Sequence, residues 1–172
     1  MLSFETKTTE FGESLKNVER ALIALSKKSL LVGIVSDENR KAEPGKLKPV
    51  TNSDLGFIHE FGAPEVGIPA RPILFPVLNA KQADIQAALM LAASYAIQGD
   101  AASADKTLHA LGINLVLAIK KRILDFIPPP LAAKTLLKWV TLTKKRKDYG
   151  DTPLKVTMQF VNSFNYVLRE RS

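Results

Sequence analysis

Apolar residues recur at helical spacing in three long stretches and at strand-like density in two short ones. Over 11–28, Leu15, Val18, Leu22 and Leu25 fall three and four apart, which predicts an amphipathic helix with Lys27 and Lys28 in its last turn. Leu30–Val35 is continuously apolar and rich in β-branched residues, so it predicts a buried strand. Ser36–Asn52 follows with seven charges, two prolines and a glycine, and reads as a long charged loop. Asn52 or Ser53 is positioned to cap a short helix that runs through Phe61 and stops at Gly62.

From Pro72 or Pro76 a second long helix is expected to reach Gln98, with Ile85, Leu89, Ala92 and Ala96 on its inner face and Gly99 closing it. Ser103 is the expected cap of a third, ending near Phe126. That helix is apolar over more than half its circumference, through Leu108, Leu111, Ile113, Leu115, Val116, Ile119, Ile123 and Leu124. A helix of this kind is buried centrally or against another subunit. Pro128-Pro129-Pro130 stops it. Ala132–Lys145 is expected to form a further helix, Lys144–Asp151 a charged turn, and Ser163–Arg169 a terminal strand that alternates Phe164, Tyr166 and Leu168 with other residues. The sum is an α+β fold: a small, mostly antiparallel sheet packed against two long helices, in a single domain over 1–172.

Composition narrows the chemistry. The chain has no cysteine, which excludes disulfides and thiolate catalysis. Its uncharged runs are too short for a membrane span, and no signal peptide is apparent, so a soluble protein is expected. The only histidines, His59 and His109, have no second nitrogen or sulfur ligand near them in sequence, and no zinc site is expected. Neither a phosphate loop nor a dinucleotide fingerprint is present. No enzyme and no cofactor are expected. The formal charge is +7, with cations gathered late at 120–122 and in Lys144, Lys145, Arg146 and Lys147. That basic patch is read as a solvated face, a site for an acidic partner or, beside Trp139 and Tyr149, a nucleic-acid-binding platform.

The densest local signal is His59-Glu60-Phe61-Gly62 followed by Ile68-Pro69-Ala70-Arg71-Pro72-Ile73-Leu74-Phe75-Pro76. Three prolines within eight residues set φ three times and withhold three donors, which makes a stiff elbow. Glu60, in the last turn of its helix, opposes the helix dipole and calls for a cation. Either it pairs with Arg71, or one of the two faces a partner molecule.

Three segments, in order, resemble the neck and tail-completion proteins of long-tailed bacteriophages, also called virion-morphogenesis or minor tail proteins. They are Leu55–Gly62, Ile68–Leu78, and Asp151–Leu154 with Thr157, Gln159 and Asn162–Val167. Ile73 and Phe75 stand where the family usually has an aromatic and a second arginine. Val156-Thr157-Met158 replaces its usual Asp-Thr-Gly, which predicts helix or irregular backbone there instead of a tight turn. The resemblance implies a non-enzymatic subunit of the head–tail junction in the virion neck, assembled in the host cytoplasm. It implies a homo-oligomeric ring of six, or of twelve nearer the portal, beside terminator, stopper or adaptor proteins.

On that basis the interface candidates are His59, Glu60, Phe61, Arg71, Pro72, Phe75, Phe164 and Tyr166. The elbow is expected on one face, with loop 36–52 and the C-terminal strand on the other. DNA would only pass through the channel, so Lys144–Lys147 are expected to point away from the bore. No membrane contact is expected. The alternative reading is a basic nucleic-acid-binding module centred on Lys144–Lys147.

Overall fold

The computed structural model describes residues 4–34, 51–125, 127–130 and 158–171. Its elements are α1 (Phe4–Ser26), β1 (Lys28–Ile34), α2 (Asn52–Phe61), a 3-10 turn (Pro64–Val66), α3 (Leu74–Ala80), α4 (Gln82–Ile97), α5 (Ala101–Leu124), α6 (Gln159–Asn162) and β2 (Phe164–Glu170). The fold is α+β, as the spacing predicts: β1 and β2 form a two-stranded antiparallel sheet packed against long helices. The charged loop, the helix expected at 132–145, the turn at 144–151 and the basic patch Lys144, Lys145, Arg146 and Lys147 lie outside the described residues.

The chain divides into two compact units, one from 1–31, 81–113 and 167–172, the other from 32–80 and 114–166. In the first, α1 packs on α4. Its core is small: Ala92, Ala104 and Leu108, with Leu25, Tyr95, Ala96 and Leu168 packed around them. Alanines at the contact let helix backbones approach closely. α1 begins earlier than its apolar stripe and ends at Ser26, so neither lysine lies in its last turn. Lys28 has joined β1 and forms an ion pair with Asp105 of α5, while the Lys27 carbonyl accepts from the Arg171 N–H beyond β2. Leu15 and Leu22 of the expected buried stripe are exposed.

Gly99 (φ 83°) closes α4 as expected. The Asp100 N–H reaches the Tyr95 carbonyl and the Gly99 N–H that of Ala96, a Schellman arrangement. The cap of α5 is Asp100, not Ser103: its carboxylate accepts from the Ser103 N–H at 2.9 Å.

In the second unit, Ile73, Val77, Ile119, Ile123, Ile127, Phe160, Val161 and Phe164 make the core, with Val32, Ile34 and Leu55 against it. Thr51, not Asn52 or Ser53, caps α2. Its hydroxyl accepts from the Asp54 N–H at 3.0 Å, and the Asp54 carboxylate accepts from the Thr51 N–H at 2.9 Å, a reciprocal box. Thr51→Ala is expected to lower stability by about 1 kcal/mol in urea titration, with no change in the cooperativity of unfolding.

The single helix expected from 72 or 76 to 98 is two. Lys81 sits at φ −99°, ψ 9°, between helix and turn, and its ammonium meets Asp84 at 2.7 Å. Met158 takes φ 54°, ψ −11°, the left-handed conformation that its identity argues against. Such a residue costs about 1 kcal/mol. Met158 also packs against the core, which offsets that cost.

Candidate interaction site: a proline elbow and an aromatic cleft

The elbow starts where α2 stops. Gly62 stands at φ 77°, ψ 179°, a conformation essentially confined to glycine. The chain then reverses through the 3-10 turn. Ala63 and Ile68 exchange both backbone hydrogen bonds (2.8 and 3.0 Å), and Gly67 (φ 71°) completes the turn. The Arg71 N–H returns to the His59 carbonyl at 2.6 Å. Ile68–Pro76 therefore lies back along the end of α2.

Glu60 does not pair with Arg71. Its carboxylate accepts from the backbone N–H groups of Ile73 (2.7 Å), Leu74 (2.8 Å) and Phe75 (2.9 Å). These are the donors at the start of α3 that have no partner within the helix, and the next residue, Pro76, has no N–H. The unfavourable place at the end of α2 is thus a favourable one at the beginning of α3, where a carboxylate complements the helix dipole. Only 7% of Glu60 is exposed.

Arg71, 5% exposed, donates from Nε to the Pro129 carbonyl (2.9 Å) and from Nη2 to the Pro130 carbonyl (3.1 Å). Arg122 of α5 donates from Nε to the Pro72 carbonyl at 3.0 Å. Two arginines thus supply donors to two proline segments, which have carbonyls to satisfy and few N–H groups to answer with. Burial pulls the Arg71 pKa below its ordinary value.

His59 sits over this clasp. Its ring meets Phe160 edge-on at 5.6 Å, and its Nδ1 is buried without a hydrogen-bond partner. Burial, aided by the positive charge of Arg71, lowers its pKa to about 4. Since an unfolded histidine titrates near 6.5, the folded form is disfavoured only when acid protonates the ring. Stability is therefore full above about pH 6.5 and declines as pH falls towards 4. The expected loss is about 2 kcal/mol, after discounting for the ring's partial exposure to solvent. Urea titrations at pH 7, 5 and 4 check this. His59→Gln should flatten the decline, and an unchanged slope would remove His59 as its cause.

Outside the clasp lies an aromatic cluster. Phe57 and Phe61, one turn apart on α2, are 4.8 Å apart between ring centroids, and Phe61 meets Phe75 of α3 edge-on at 6.1 Å. They are 65%, 55% and 56% exposed, unusual for three neighbouring phenylalanines. They border an open apolar cleft of about 370 Å³, with Ile73, Leu78 and Phe164 also lining it. Gly56 gives the cleft depth, because a Cβ there would stand 3.0 Å from the Ile34 side chain.

Of the expected interface residues, Phe61 and Phe75 are exposed, and His59, Pro72 and Tyr166 are partly buried. Glu60, Arg71 and Phe164 are buried and hold the unit from within, which corrects their expected place at a surface contact. The fold gathers His59, Glu60, Phe61, Arg71, Pro72 and Phe75 at the elbow, and Phe164 reaches it through the cleft. Sequence reasoning missed Phe57, although its spacing of four from Phe61 was visible. It also missed Arg122 and the Pro129 and Pro130 carbonyls, which no local pattern marks.

Among the described residues no cluster of three or more acidic or histidine side chains is placed to hold a metal ion, and no helix is long and apolar enough to cross a membrane. Compared with known families, curated proteins and solved structures, the chain matches none.

Proposed function

We propose that this chain is a structural subunit of a bacteriophage head–tail junction, a neck or tail-completion protein that acts by docking and not by catalysis. The observation that carries the reading is the exposed Phe57–Phe61–Phe75 cluster on an elbow braced from inside. A braced apolar surface loses little conformational freedom when a partner covers it. Exposed aromatic clusters of this kind mark protein contacts. The elbow is also where two of the three neck-protein-like segments lie, Leu55–Gly62 and Ile68–Leu78.

In this reading the subunit closes into a ring, sixfold to match a tail, with a terminator on one side and a stopper or adaptor on the other. DNA only passes through it, and the subunit resides in the virion neck. Electron microscopy of tailed particles tests the assignment: density for this fold is expected between head and tail, and its placement elsewhere would overturn it. Salt titration of binding to random duplex DNA separates the nucleic-acid alternative. Sub-micromolar binding with a steep salt slope would favour that reading over ours.

A further inference from the structure

We propose that α4 is a self-recognition surface, on which a second copy of this chain packs its own α4 antiparallel across a two-fold axis at Met90. This goes beyond the neck reading and does not depend on it.

A helix with one side in solvent normally carries charge on that side. α4 does not. Its inner side is Ile85, Ala88, Ala92, Tyr95 and Ala96, of which Ala92 is buried and the rest partly so. At about 3.6 residues per turn, the stripe directly opposite is Ala83, Gln86, Ala87, Met90, Ala93, Ser94 and Ile97. Met90 is 67% exposed and Ile97 43%, and Leu89 and Leu91 border the stripe at 49% and 47%. The helix's sole charge, Asp84, lies off the stripe and is engaged by Lys81. The unit that holds α4 buries little of its own, since its core is Ala92, Ala104 and Leu108.

The other long helices interleave their exposed apolar residues with charge. Leu15, Leu22 and Ile23 of α1 lie among Lys16, Glu19 and Arg20, and Leu117 and Leu124 of α5 lie among Lys120 and Lys121. Solvated surfaces ordinarily look like that. Two copies of a chain of net charge +7 repel each other, and least so where the surface carries no charge.

The order of residues in the stripe selects a second copy over another apolar partner. Reversed about Met90, the stripe lays Ala83 against Ile97, Gln86 against Ser94, Ala87 against Ala93, and Met90 against its own counterpart. Small meets large, an amide meets a hydroxyl, and each unlike match occurs twice, as a two-fold contact requires. A parallel pair would instead set Ile97 on Ile97 and leave a gap at Ala83. The alanines allow the helix axes to approach to about 8 Å at a crossing near +20°. Met90, unbranched and flexible, fills the space at the axis.

Size sets the strength. The stripe and its leucine borders cover on the order of 1,000 Å² over both copies, just under the roughly 1,200 Å² of a standard complex. The pair therefore forms at micromolar concentrations and dissociates on dilution. Being two-fold, it closes on itself, and the contacts of a ring use other faces.

Sedimentation equilibrium of the full-length protein from about 5 to 200 μM tests this. The wild type is expected to pass from monomer to dimer over that range. Met90→Glu sets two like charges on the axis and should weaken dimerisation at least about tenfold, with an unchanged circular dichroism spectrum. Ala83→Ile should also weaken it, by meeting Ile97, and Ala83→Ile/Ile97→Ala should restore it. The absence of cysteine adds a second probe: Met90→Cys copies should link to one another at least about tenfold faster than Leu15→Cys copies. A wild type still monomeric at about 200 μM would overturn the pair and leave α4 to a different partner. Dimers indifferent to Met90→Glu would overturn the surface, and an Ala83→Ile/Ile97→Ala variant no better than Ala83→Ile would overturn the antiparallel register. The neck assignment is decided separately, by the position of the density in particles.

Discussion

Replacing Glu60 with alanine is expected to lower stability by about 3–4 kcal/mol, among the largest effects of any single substitution here. The reason is an asymmetry in hydrogen bonding. A bond once made contributes about 1 kcal/mol net, but a buried donor left without an acceptor costs about 1–3 kcal/mol. Glu60→Ala strands three N–H groups together, at Ile73, Leu74 and Phe75, of which Ile73 is only 1% exposed. Water entering the new cavity recovers part of this, which keeps the loss below the full sum. Glu60→Gln retains one carbonyl acceptor and should lose about half as much. Urea denaturation at pH 7 measures both. A loss below about 1 kcal/mol for Glu60→Ala would mean that α3 does not depend on this carboxylate.

Gly62→Ala is expected to cost about 3 kcal/mol or more, for a reason unrelated to hydrogen bonding. A Cβ at this position would stand 2.8 Å from the Ala70 nitrogen and 3.0 Å from the Ile68 carbonyl oxygen. Both are backbone atoms of the elbow, so no side chain can swing aside. The backbone conformation adds strain of its own, since φ 77° with ψ 179° excludes L side chains. Gly67 supplies the control. It too has positive φ, but a Cβ there meets nothing within 4 Å, so Gly67→Ala should cost only about 1 kcal/mol. Thermal denaturation of the pair separates close approach from dihedral strain. Equal losses would show that the elbow can open by a few tenths of an ångström and that its tight packing is dispensable.

What was legible in the chain follows the range of the forces involved. α5 and β2 were readable because burial of one face imposes a period on the sequence itself. β1 was readable from its run of apolar, β-branched residues, although the strand is partly buried and not the buried one expected, with Leu31 39% exposed. The stop at Gly99 was readable because positive φ favours glycine. Caps shifted by one to three positions, to Thr51 and Asp100, because Thr51, Asn52 and Ser53 are all competent acceptors, as are Asp100 and Ser103. Backbone direction chooses among such neighbours. The partner of Glu60 was not legible. Local reasoning identified a carboxylate at the wrong end of a helix and sought a cation, whereas the acceptor serves amides 13–15 residues away. The break at Lys81 and the left-handed Met158 likewise run against local preference.

The site divides in the same way. The prolines announced stiffness, and the structure shows its source: Arg71 and Arg122 fastening proline carbonyls, and Glu60 fastening α3. The exposed rings were half visible, since Phe61 and Phe75 lie within the motif and Phe57 one turn before it.

The central claim is that the elbow exists to hold those rings outward for a partner. The most direct measurement compares wild-type protein with the Phe61→Ser/Phe75→Ser double variant, both in thermal denaturation and in incorporation into tailed particles. The account predicts a melting temperature shifted by no more than a few degrees, together with loss of incorporation and of head–tail joining. Undiminished incorporation would contradict it, as would a collapse of stability showing that the rings serve the subunit's own fold.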